Sequence, residues 1–194
     1  MSLAHKTLAG VLFLIGSAFF LTAIMVGEAI APGYSMHRDP ISDLGIISET
    51  ANLFNLSVLL LGLLTILGGY LLHRDGMKRW MTALFFIAGA GAIGVGIFTL
   101  NYGIHGLFAL ISFIAYNALA IAMAIKMKGP LKMISIALGA IGLIALVLHI
   151  LEVNGPIGPG GMERMIVYPT IIWLLAFSGY LMFVPASSEQ GGPD

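Results

Sequence analysis

Apolar residues fill long stretches of this chain, and polar residues gather in the short breaks between them. Six apolar stretches can be marked off, at 7–28, 49–73, 78–100, 105–125, 130–152 and 163–184. At ~1.5 Å of rise per residue, each is long enough as a helix to cross the ~30 Å hydrocarbon core of a bilayer. The expected fold is all-α: a polytopic transmembrane bundle of six helices forming a single membrane domain over 1–185. The remainder, 186–194, is small, polar and rich in Gly and Pro, and is expected to be disordered.

Composition strengthens this reading. The chain is 59% hydrophobic with a mean hydropathy of +1.00, against ~45–50% apolar residues in soluble domains. The short breaks leave no room for a separate soluble domain. Nine basic residues balance nine acidic ones, so nothing in the net charge points to nucleic acid, and none is expected as a partner; membrane lipid is. With no cysteine, disulfides, thiolate nucleophiles and Cys-ligated metals are excluded. A cleavable signal peptide ending near Ala29-Ile30-Ala31 is rejected, because the apolar part at 7–27 exceeds the ~7–15 residues of a signal core.

The placement of the few charges adds orientation. Lys6, Arg74, Lys78, Arg79, Lys126, Lys128 and Lys132 fall at the N-terminus and in the second and fourth loops, leaving only Arg38 and Arg164 for the first and fifth. Basic residues favour the cytoplasmic side, so both termini are expected there, in a multi-pass protein of the cytoplasmic membrane. Loop 1–2 is the longest. Its Asp39-Pro40-Ile41-Ser42-Asp43-Leu44 reads as a short helix, with Asp39 as N-cap, Pro40 at the first helical position and Asp43 in the first turn. Such a helix would form a lid on the outer face.

Two helices have internal features. In the third, Ala88, Ala92 and Gly96, with Ala90 and Gly94 one strip over, permit close backbone approach and suggest a central position; a glycine-lined substrate path is the functional alternative. In the sixth, Pro169 removes a backbone hydrogen bond and should kink the helix. Asn52, Asn55, Tyr116 and Asn117 read as interhelical hydrogen-bonders, with Asn55 placed to face an outer site. Tyr34, Trp80, Tyr102 and Tyr168 read as interfacial anchors.

Tyr34, the run Ile41-Ser42-Asp43-Leu44-Gly45, Asn55 and Gly62 on the second helix, His105-Gly106 opening the fourth, and Glu163-Arg164 with Trp173 on the sixth together resemble a prokaryotic six-helix membrane family, domain-of-unknown-function family 998. The resemblance covers nearly the whole chain. It implies the architecture and no established activity. In that family the break after the third helix often carries a proline and an acid; here Phe98-Thr99-Leu100-Asn101 stands in that place.

The chemistry is sought at the lid end. Glu49 and Glu163 open helices and His73, Arg74, Lys126 and Lys128 close them, as the helix dipole favours. Glu28 and Glu152 at helix C-termini, and Arg164 at an N-terminus, oppose it. That suggests they answer one another, with Arg164 as a forked partner of Glu28, Glu152 or both. His149 and Glu152, at i and i+3, share a helix face; His105 opens the fourth helix on the same side. His5 and His37 read as solvated.

Three functional readings follow. In the first, a polar pocket roofed by loop 1–2 binds a lipid headgroup, small molecule or ion, using Tyr34, Asn55, Glu28, Glu163 and Arg164. In the second, the protein is a metal-dependent hydrolase of a lipid ester or amide. Asp43, His105, His149 and Glu152 would then hold zinc, Ser42 would orient the carbonyl, and Arg164 would hold an anionic headgroup; Ser42, Asp43, His149 and Glu152 are the catalytic candidates. That arrangement is similar in outline to the progestin-receptor and alkaline-ceramidase superfamily, whose paired histidines on a late helix have no counterpart here. In the third, His105 and His149 are axial ligands to a haem. No match between the two three-helix halves and no charge at the bilayer midplane speak against an ion-coupled transporter.

Overall fold

The computed structural model describes residues 3–183; the tail expected to be disordered, 186–194, lies outside them. Six helices, α1 (Leu3–Ile30), α2 (Ala51–Arg74), α3 (Arg79–Ile97), α4 (His105–Met123), α5 (Pro130–Ile150) and α6 (Gly158–Phe183), make up the bundle. Each lies in a span long and apolar enough to cross a membrane. Short 3-10 helices stand at Ile41–Gly45, Ala124–Lys126 and Gly155–Ile157. Helix α6 opens at Gly158 rather than at Glu163, which therefore lies more than a turn inside it. Helix α5 stops at Ile150, short of Glu152, whose backbone is left-handed at φ 59°.

Each helix packs against the next, and α6 returns to α1, so the helices form a ring. A direct contact between α4 and α6 pushes α5 outside it; accordingly, α5 has 28% of its spanning window buried, against 44–56% for the other helices. Lipid tails are as apolar as leucine, so close packing and interhelical hydrogen bonds hold such a bundle together. The tightest crossing is between α2 and α3, where a Cβ added at Gly62 would stand 2.5 Å from the carbonyl oxygen of Gly89. The small residues of α3 serve two neighbours, Gly89 and Gly96 facing α2 while Gly91 and Gly94 face α4. The expectation of a central α3 is corrected accordingly: it is wedged between α2 and α4 in the wall of the ring.

The end of the bundle that carries the N-terminus is filled with aromatic rings. Phe13 stacks on Phe85 and Phe177 at 5.3 and 5.8 Å between centroids, and Phe177 on Trp173 at 5.2 Å. Trp173 Nε1 donates to Ser135 Oγ at 3.0 Å, tying α6 to α5. Tyr116 and Thr65 join their hydroxyls at 2.8 Å between α4 and α2. Helix α6 runs on through Pro169, and nearby carbonyls gain side-chain donors: Thr170 Oγ1 to Val167 O at 2.8 Å, and Asn117 Nδ2 from α4 to Ile166 O at 3.2 Å. Asn117 is thus interhelical, as expected, whereas Asn52 is exposed.

Candidate functional site

Loop 1–2 folds over the opposite end of the ring as a lid, and its two parts are held by adjacent residues of α6. The first part is a turn in which Arg38 and Asp39 both donate their backbone N–H to Ser35 O. Asp39 carboxylate accepts from Ser35 N at 2.8 Å and pairs with Arg38 at 2.7 Å. The arginine and the Ser35 amide hold its carboxyl below the usual carboxylate range. Asp39 therefore braces this turn and does not cap the helix after it, which corrects the sequence reading; Pro40 stands just before the 3-10 helix instead of opening it.

The 3-10 helix Ile41–Gly45 has no side-chain cap of its own. Its first N–H groups would be orphan donors in a buried place. Glu163 supplies the acceptor from across the fold, taking a hydrogen bond from Ile41 N. A buried carboxylate of α6 thus caps the lid helix in trans. Its expected role as a dipole partner at the start of α6 is replaced by this one.

Arg164 holds the other part of the lid. Its Nε and Nη2 donate to one oxygen of Glu28 at 2.9 and 2.6 Å, and Nη2 also donates to Tyr34 Oη at 2.7 Å. Nη1 reaches the carbonyls of Met36, Asp39 and Gly160 at 3.1, 3.2 and 2.6 Å. Every N–H of the guanidinium has an acceptor. Tyr34 in turn donates to Pro40 O at 2.8 Å; burial raises its hydroxyl pKa, which keeps it a neutral donor. Tyr168 also reaches Glu28, at 3.4 Å. Tyr34 and Tyr168, expected as interfacial anchors, belong to this cluster, whereas Trp80 and Tyr102 are exposed. Asn55 Nδ2 donates to Gly45 O at 3.0 Å and Thr50 Oγ1 to Leu44 O at 2.7 Å, fastening the lid's far end to α2.

Beneath the lid lies a cavity of about 50 Å³. That is room for several waters. Its walls come from α1, α2, α3, α4, α6 and the lid; α5 contributes none. Phe20, Phe54, Val58, Leu61, Val95 and Ile171 are among its apolar lining, while Ser42, Glu163, His105, Ser112 and Thr170 supply polar groups. His105 is 6% exposed, and its Nδ1 lies 2.7 Å from Phe98 O, the carbonyl just past the end of α3. A carbonyl only accepts, so Nδ1 carries the proton. In the neutral ring Nε2 is then an acceptor.

The lid end is therefore two clusters. Ser42, His105 and Glu163 reach the cavity; Glu28, Tyr34 and Arg164 form the clamp beside it. Asp43, His149 and Glu152 line no part of the cavity. Asp43 is half-buried, its carboxyl raised first by burial and then by the charge of Asp39. Glu152 is exposed, so of the two carboxylates proposed for Arg164 only Glu28 meets it. His149 Nδ1 is buried without a hydrogen bond. No group of three or more His, Asp or Glu placed to hold a metal ion occurs among the described residues. Of the two histidines expected as haem ligands, only His105 lines the cavity. At the far end His5 Nδ1 lies 2.8 Å from Asp75, so His5 is paired rather than solvated; His37 is exposed. Ser112 and Thr170 were not legible as site residues, because hydroxyls on apolar helices so often bond to their own backbone.

Six membrane-length helices closing a ring define this as a polytopic α-helical membrane protein. The chain matches the family described as "Protein of unknown function (DUF998)" over residues 14–180 and belongs to it. No curated protein and no solved structure matches it significantly.

Proposed function

We propose that this protein binds a small molecule in the cavity beneath loop 1–2. The observation that carries this is the mainly apolar space beneath the lid with Glu163, His105 and Ser42 together on its lining. Ligand sites are typically apolar concavities with a few convergent polar groups, and ionisable side chains at membrane depth are usually functional. The lid belongs to the outer face and both termini to the cytoplasmic face of the cytoplasmic membrane, a reading supported by the basic residues at the end opposite the lid. The Glu28–Tyr34–Arg164 clamp supports the lid and does not hold an anionic ligand, because its guanidinium is fully engaged.

Filling the cavity tests the proposal. Ala109, half-buried on α4, lines it, and Ala109→Phe should occupy the space. Mass spectrometry of small molecules released from purified protein should find a species in wild type that the variant lacks. Identical extracts from two equally folded proteins would overturn the reading.

A further inference from the structure

We infer that the cavity selects a primary ammonium group carried on a small apolar body and rejects anions. The inference rests on the cavity reading and deepens it. Its basis is a count of hydrogen-bonding capacity at the polar lining.

A carboxylate has about four lone-pair sites. Glu163 gives up one, to Ile41 N, so about three remain. His105 Nδ1 is committed to Phe98 O; Nε2 has no protein partner and, in a ring that is 6% exposed, offers a lone pair. Thr170 Oγ1 spends its proton on Val167 O and keeps only acceptor capacity. The hydroxyls of Ser42 and Ser112 are free to act either way. No Lys or Arg is among the lining residues. Arg164, next to Glu163 in sequence, has all its donors taken by the clamp. The polar lining thus consists of acceptors and these two hydroxyls around one carboxylate, with apolar walls elsewhere.

A group placed there must donate hydrogen bonds. An anion would meet lone pairs with no cation to offset its desolvation, which is costly in so apolar a place. An ammonium has three donors and no acceptor, which complements Glu163, His105 Nε2 and Ser112. An alcohol can donate once. The amine can arrive as a free small molecule or as the headgroup of an aminophospholipid; the chemistry is shared.

The test uses n-butylamine, 1-butanol and butyrate, which have the same tail and differ at the polar end. Each is titrated against the full-length protein in detergent and followed by thermal shift, with Ala109→Phe as the blocked control. The amine should bind about tenfold more tightly than the alcohol, butyrate should not bind, and Ala109→Phe should lose the amine response. In wild-type nanodiscs, phosphatidylethanolamine competing with butylamine where phosphatidylcholine does not would support the headgroup as the source. Equal response in both lipids would support a free amine. Glu163→Gln should abolish the preference; should that variant unfold because its lid is uncapped, the wild-type series decides alone. Butanol or butyrate matching the amine, with all responses lost in Ala109→Phe, would overturn the ammonium inference and leave the cavity reading standing. Responses that are the same in wild type and Ala109→Phe would overturn both.

Discussion

Arg164 shows how one side chain can organise a membrane protein's surface loop. It touches the end of α1 through Glu28, the lid through Tyr34, Met36 and Asp39, and its own helix through Gly160. The Arg164 and Glu28 side chains are 7% and 10% exposed, so neither is well screened by water. Arg164→Ala would leave a desolvated carboxylate without compensation and should cost ~3–5 kcal/mol. Thermal unfolding in detergent measures it, and a transition within error of wild type would mean the clamp does not hold the lid. Arg164→Lys should recover little, since an ammonium cannot span acceptors spread around a planar fork. Glu28→Gln should be milder than Arg164→Ala, because the guanidinium keeps its carbonyl partners. The dipole argument singled out Glu28 and Arg164 because both were expected at the wrong helix end, although α6 opens at Gly158 and leaves Arg164 more than a turn inside it. It misled for Glu152, which is exposed and needs no partner, and for Glu163, whose buried acceptor role depends on a lid distant in the chain.

At the scale of elements, packing depends on where small residues meet backbone. The α2–α3 crossing brings Gly62 and Gly89 face to face; with backbone on both sides, neither can yield cheaply. Gly62→Ala should destabilise by ~1–3 kcal/mol through overpacking. Gly179 on α6 is the contrast, for a Cβ added there meets nothing within 4 Å. Gly179→Ala should be neutral or stabilising by up to ~1 kcal/mol, through the helix preference alone. Paired thermal melts check both, and equal effects would show that close approach does not govern the ring. The spacing of small residues made this interface legible on α3. It did not say which neighbours α3 would face, because a strip of small residues specifies closeness without a partner.

At the scale of the whole molecule, the two ends of the bundle differ. Stacked rings fill the end that carries the N-terminus; the lid end keeps a cavity roofed by a chain segment held from α6. The absence of cysteine allows single cysteines to report the topology cleanly. Ser48→Cys, exposed beside the lid, should react with a membrane-impermeant thiol reagent in intact cells, and Lys78→Cys, exposed at the other end, should not. Reversed labelling would move the lid and cavity to the cytoplasmic side. The number of spans, their order and the asymmetry of basic charge were determined by sequence alone, because bilayer thickness and the cost of unpaired backbone in lipid act on each segment locally. Residues from different helices meet only when the ring closes. That closure decided that α5 stands outside, that His105 faces the cavity while His149 does not, and that Glu163 caps the lid while Arg164 clamps it: neighbouring side chains on a helix point in different directions, and spacing along the chain cannot say what lies opposite each.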